Sequence, residues 1–98
     1  MNYSGPSAKA HSTGVAVALF VERDGKFLFM KRLGAAGAGT WAIPGGGVEF
    51  NEEPRDAAVR ELFEETGIHV KELQFLSYSN DVMDKENLHY VTLLYYTD

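Results

Sequence analysis

Only one stretch of this chain reads as a helix, and a lone helix must bury its apolar side against a sheet. Residues 51 to 66, NEEPRDAAVRELFEET, carry Pro54 where a first turn tolerates it and Asp56 near the positive end of the macrodipole. Gly67 follows as a C′ cap. At ~100° per residue, Ala58, Val59, Leu62, Phe63 and Thr66 fall on one arc, which is expected to pack on the sheet. Glu61, Glu64 and Glu65 fall on the other arc and are expected to turn away from the core. That stripe is electrostatically awkward. It sits at the negative end of the helix, and like charges at i, i+4 each cost a few tenths of a kcal/mol.

The flanking segments supply the sheet. TGVAVALFVER, residues 13 to 23, is strand-like, and Asp24-Gly25 is a strong two-residue hairpin signal leading into KFLFMKR as the returning strand. LGAAGAGT is a small-residue loop, and WAIPGGGVEF reads as a short strand broken by Pro44 and its glycines. Those glycines permit close approach of a ligand to the main chain. After the helix, IHVKELQFLSYS and LHYVTLLYYT read as two further strands joined by the polar loop NDVMDKEN. Residues 1–12 lack periodicity and are expected to be a flexible tail, leaving 13–98 as the domain. The fold class expected is α/β (α+β), a mixed sheet with one helix packed on a face.

Composition narrows the function classes. The chain has 98 residues, enough for one small domain that buries roughly 60–65% of its unfolded surface. It has no cysteine, which excludes disulfides and thiolate metal sites and is compatible with a cytoplasmic location. No apolar run reaches the length of a membrane span. A net charge of −5 argues against nucleic-acid polymers and membrane surfaces as partners, since both are anionic. Small anionic ligands remain accessible if a divalent cation inverts the local field.

Two accounts fit the glutamate stripe. One is a solvated helix face partly neutralised by Arg60. The other is a seat for a hard divalent cation, which takes oxygen ligands such as carboxylates one turn apart and a carbonyl from a nearby glycine loop. Spacing alone does not separate them, but the wider segment does. GGVEFNEEPRDAAVRELFEETGI, residues 46 to 68, fits G-x5-E-x7-R-E-U-x-E-E-x-G-U at every fixed position, U being a bulky aliphatic. A chance match in a chain this long is roughly one in 10⁷. This segment resembles the signature of the Nudix hydrolases. KRLGAAGAGTWAIPGGGVEF looks like the loop and strand before that box in MutT-type members, and DKENLHYVTLLYY looks like the strand after it in a subgroup acting on nucleoside triphosphates. The resemblance covers about residues 14 to 97.

It implies Mg²⁺- or Mn²⁺-dependent hydrolysis of a diphosphate linkage in a nucleoside triphosphate or nucleoside diphosphate derivative. By carry-over, Glu61, Glu64 and Glu65 hold the metal, one of them serving as base in some members, and the main-chain carbonyl of Gly46 is a further ligand. Glu52 and Arg60 pair to fix the loop against the helix, with Arg60 placed to orient Glu61 or Glu64. Val59, Leu62, Phe63 and Ile68 are core. Gly45 and Gly46 lie beside the substrate, and Lys31 and Arg32 are candidates to reach its phosphates, against a solvated strand end. Without metal, the clustered carboxylates should titrate as a coupled group with at least one pKa raised. Trp41 is a candidate base stacker, though an aromatic beside Pro44 is more often core. Glu49 is a candidate for the outer ligand shell and His89 for a pocket wall. His11 and His69 carry no assignment.

Length is where this chain departs from the family. Nudix domains usually continue through a hairpin, another strand and a C-terminal helix, a layer that is missing after LLYYT. The expectation is an exposed apolar face or sheet edge, and self-association through it. The alternative to an enzyme is a non-catalytic shortened Nudix module that binds a nucleotide or a partner chain.

Overall fold

A computed structural model describes residues 12–31, 39–85 and 87–98. The expected tail, apart from Ser12, and with it His11, Arg32 and most of the small-residue loop, lie outside the described residues. The elements in chain order are β1 (Thr13–Arg23), β2 (Lys26–Phe27), β3 (Met30–Lys31), β4 (Trp41–Ala42), β5 (Gly45–Gly47), α1 (Pro54–Thr66), β6 (Gln74–Met83) and β7 (Leu88–Thr97).

The sheet is mixed. β1 and β7 run parallel from Thr13↔His89 to Val21↔Thr97, and β6 lies antiparallel on the far side of β7. β2 and β5 both pair antiparallel with β1, along the edge that β7 leaves free. Asp24 and Gly25 take positive φ of 54° and 77°, the geometry of the tight β1–β2 turn that the Asp-Gly pair favours. KFLFMKR does not return as one strand. It splits into β2 and β3, and β3 leaves the main sheet to pair with β4 as a separate two-stranded ribbon. The strand expected from residue 68 begins only at Gln74, and it takes in Asn80–Met83, which was expected to be loop. Pairing of Val82 and Met83 with His89 and Leu88 extends the ladder, and a turn closed by Asn87 N–H to the Asp84 carbonyl finishes it.

The helix starts at Pro54, later than expected, because Asn51 has φ 67° and lies in a turn. Gly67 ends it with φ 80°, its N–H donating to the Phe63 carbonyl. Val17 and Leu19 of β1, Tyr95 of β7 and Ala57, Ala58 and Leu62 of α1 form the buried core. The paired alanines let α1 sit close to β1. The expected helix face needs correcting. Phe63 is 53% exposed and leans on the His69 ring, Val59 is half-buried and Ile68 is exposed. At ~100° per residue, the buried face runs from Ala57 to Leu62 and takes Glu61 and Glu65 between them. Glu64 and Glu65 are exposed, as expected, but Glu61 is half-buried against β5 and Glu65 reaches the Gly45 N–H, so these carboxylates are not clear of the sheet. They sit along its β5 rim.

Only α1 covers the sheet among the described residues, and it covers one face. On β6, which is an edge strand here, Phe75, Leu76, Tyr78 and Val82 are exposed. No helix among the described residues is long and apolar enough to cross a membrane.

Candidate functional site

The site is built where α1 crosses β5. Register decides which backbone groups face it. Leu19 N–H donates to the Pro44 carbonyl and Val48 N–H to the Val15 carbonyl, so these are hydrogen-bonded pairs of the antiparallel ladder. Alternation makes Val17 and Gly46 the pair between them and turns the polar groups of Gly45 and Gly47 outward, away from β1. The outward Gly45 N–H donates to Glu65 Oε1 at 3.1 Å, and the outward Gly47 carbonyl accepts from Arg60 Nη2 at 3.0 Å. Gly46 faces α1. A Cβ there would collide with the Glu61 carboxylate, so glycine leaves room for that carboxylate to lie against β5. One expectation is corrected by this register: the Gly46 carbonyl is turned onto Val17, and the carbonyl that opens toward the carboxylates is that of Gly45.

Arg60 organises the rest. Its Nε and Nη2 bond both oxygens of Glu52, at 2.8 and 3.0 Å. Its Nη1 reaches Glu61 Oε2 at 3.0 Å and Glu64 Oε1 at 3.2 Å, and stands 3.8 Å from Glu49. Glu52 in turn accepts the Glu49 N–H at 2.9 Å, which closes the loop before the helix onto the helix itself. Hydrogen bonding from Arg60, aided by the Glu49 N–H, lowers the Glu52 pKa to about 2. The same pair raises that of Arg60, which stays charged throughout.

Charge on this rim does not balance. Among the described residues, one guanidinium faces Glu49, Glu52, Glu61 and Glu64, and Glu65 stands beside them with no ion pair of its own. No basic residue occupies the last turn of α1. Burial raises the Glu65 pKa first, then the charge of Glu61, its hydrogen bond and the charge of Glu64, against the Gly45 N–H. A raised carboxyl pKa was the behaviour expected of this cluster. Among the described residues, no three acidic or histidine side chains already converge as a closed coordination shell. Arg60 holds Glu61 and Glu64, while Gly45 holds Glu65. The donor set nonetheless suits a hard divalent cation: carboxylates on successive turns, an outward carbonyl on the facing strand and no competing soft ligand.

Other residues singled out in the sequence fall elsewhere. Lys31 is exposed opposite Trp41 in the β3–β4 ribbon and makes no ion pair with a described residue of the stripe. Trp41 is itself exposed, and Arg32 lies outside the described residues. His89 bridges Thr13 and Asn80 across three strands. Sequence reasoning missed the outward groups of Gly45 and Gly47, because strand register is not written in a run of glycines.

A loop-bound Glu–Arg pair that presents helix carboxylates to a glycine strand, on a mixed sheet, defines a class. The profile of the NUDIX domain matches residues 11–98, and the chain belongs to that family. A MutT NUDIX hydrolase from Burkholderia pseudomallei superposes with a TM-score of 0.83 at 32% identity, over 87% of this chain and 66% of that one. A "MutT-like protein" of Streptomyces ambofaciens is 43% identical over 66% of this chain and 40% of its own length. An ADP-ribose pyrophosphatase of Methanocaldococcus jannaschii is 38% identical over 86% of this chain and 50% of its own. The chain thus spans half or less of the length of these curated relatives.

The depressed Glu52 pKa has a measurable consequence. Its contribution to stability is fully present above the unfolded value near 4.5 and is lost as pH falls toward about 2. Urea midpoints of the Glu52→Gln variant should therefore lie below wild type at neutral pH and converge on it toward pH 2. A constant difference across that range would show that the pair does not set the local stability.

Proposed function

We propose that this chain is the Nudix portion of an enzyme that hydrolyses a diphosphate linkage in a nucleoside triphosphate or nucleoside diphosphate derivative, using Mg²⁺ or Mn²⁺. The observation that carries this reading is the acidic rim, in which one described guanidinium faces four carboxylates, assembled against the glycine strand β5. ADP-ribose pyrophosphatase and RNA pyrophosphohydrolase, two of the relatives, are named for attack on the same kind of bond.

Glu61, Glu64 and Glu65 would hold the ion, with the Gly45 carbonyl as the main-chain donor. Such an ion, held by these residues, would supply charge neutralisation of phosphate oxygens and activation of water. The chain's own residues do the rest. Arg60 fixes Glu61 and Glu64 in rotamers facing the rim, and Glu52 fixes Arg60. Without the ion, burial and the neighbouring charges of Glu61 and Glu64 raise the Glu65 pKa, so seating a cation there would release protons. Outward β5 groups provide a rigid edge along which phosphates can be positioned, and positioning is most of what phosphoryl transfer asks of a protein. Lys31 and Arg32 are assigned to the phosphate chain by family resemblance and by their charge. A cysteine-free chain and nucleotide substrates favour the cytoplasm.

Self-association belongs to the same proposal. The open β6 edge with exposed Phe75, Leu76, Tyr78 and Val82 supports it, since such an edge pairs readily with another strand. Light scattering should give a species larger than the monomer, and a monodisperse monomer contradicts it.

Hydrolysis is tested on a nucleotide panel with and without Mg²⁺, products being separated by ³¹P NMR. Turnover should require the cation and fall about 10²-fold or more in Glu64→Gln and Glu65→Gln. Metal-independent turnover, or turnover unchanged by both substitutions, removes the assignment. Binding of a nucleotide without turnover would identify a non-catalytic module instead.

A further inference from the structure

A pocket of about 500 Å³, within the usual size of small-molecule sites, opens on the α1 side of the sheet, where β1 and β7 finish. It shares no lining residue with the acidic rim. Alternation along β1 puts Val21 on the same face as buried Val17 and Leu19, and register sets Leu28 and Thr97 on either side of it. Val21, Leu28 and Val70 pack against the core and make an apolar floor. Residues 68–70, which follow the Gly67 cap, form the wall facing the hairpin.

Charge is sorted between the two faces at this end of the sheet. Asp24 and Gly25, both at positive φ, make a two-residue turn that sets Arg23 directly opposite Lys26. Two residues on from Val21, this pair lies on the pocket face, and both residues line the pocket. Glu22 alternates to the other face, where the Tyr96 hydroxyl donates to its Oε1 at 2.6 Å. That hydrogen bond first, then burial, the charge of Glu22 and the charge of Asp98, raise the Tyr96 pKa to about 12. Glu22 and Asp98 reach the pocket edge, but both act on the phenol of the opposite face. Like charges opposite each other on a hairpin are destabilising. Among the described residues neither Arg23 nor Lys26 makes an ion pair, with Asp24 of the turn or with any other acid. A chain of net charge −5 has carboxylates enough to neutralise them, and leaves both open over an apolar floor. The complement of that arrangement is an anion with an apolar body, its head taking charge-assisted hydrogen bonds from the two cations.

We propose that this pocket is a second ligand site, for a small organic anion whose apolar body rests on Val21, Leu28 and Val70 and whose acidic head is held by Arg23 and Lys26. It stands apart from the hydrolytic rim, and its test needs neither turnover nor a divalent cation. The probes are anilinonaphthalene sulfonate and phenylnaphthylamine, the same ring system without the sulfonate. Each is titrated into the whole chain, with affinity read by fluorescence and location by backbone amide shifts. The sulfonate should bind saturably, with shifts centred on residues 21–28, 68–70 and 97–98, and more tightly than the uncharged probe. Arg23→Gln combined with Lys26→Gln should weaken the sulfonate about tenfold or more and leave the uncharged probe within about threefold. Each single substitution should give a smaller loss in the same direction. Added salt should weaken the sulfonate in wild type and have little effect in the double variant. Shifts centred on β6 or on the acidic rim overturn the proposal. So does equal affinity for the two probes, or sulfonate binding unchanged by the double substitution.

Discussion

Arg60 is the cation around which the acidic rim is folded. It reaches forward to Glu61 and Glu64 on its own helix, back to Glu52 in the preceding loop and across to the Gly47 carbonyl of β5. Loop, helix and strand are thereby tied at one partly buried guanidinium, whose planar fork matches the Glu52 carboxylate in a way a lysine could not. The consequence is an asymmetry. Arg60 satisfies the carboxylates nearest the loop and leaves the stripe one turn further on, at Glu65, under-neutralised by burial and by its neighbours. The structural pair thus stands at one end of the acidic cluster and the unbalanced charge at the other.

β5 transmits that arrangement to both faces of the sheet. Three consecutive glycines give a strand without side chains, and each position is used differently. Gly45 offers its amide to Glu65, Gly46 makes room for the Glu61 carboxylate, and Gly47 accepts from Arg60 while lining a cleft on the opposite sheet face. A larger residue at Gly46 would displace the Glu61 carboxylate from β5. At Gly45 it would meet the β1 backbone at Val17 and Ala18. The glycines are less about flexible backbone than about thickness: they keep the acidic rim and the opposite sheet face close together.

Much of this was legible in the residues and some was not. The β1 segment, the Asp24-Gly25 turn and the Gly67 cap are local patterns, and each lies where the pattern put it. The spacing of Glu52, Arg60 and the three later glutamates likewise brought one loop residue and one helix face together. The helix face itself was misjudged because apolar character was taken for burial. Phe63 is apolar but exposed, whereas Glu65 lies about 20° round the helix from fully buried Ala58. Strand register was the larger gap. It decides that Gly45 rather than Gly46 turns its carbonyl outward, that KFLFMKR divides between two sheets, and that Ser79, Asp81 and Thr92 meet. None of these follows from a single segment, since each depends on which strand lies alongside.

The account stands on a divalent ion seated between the stripe and β5. Titrating the wild-type chain with Mn²⁺ and following paramagnetic broadening of backbone amides locates that ion without any appeal to turnover. Saturable broadening centred on Gly45 and on Glu61 to Glu65, displaced by Mg²⁺ and weakened in Glu61→Gln, is the result the account predicts. Broadening that never saturates, or that centres away from this rim, would contradict it.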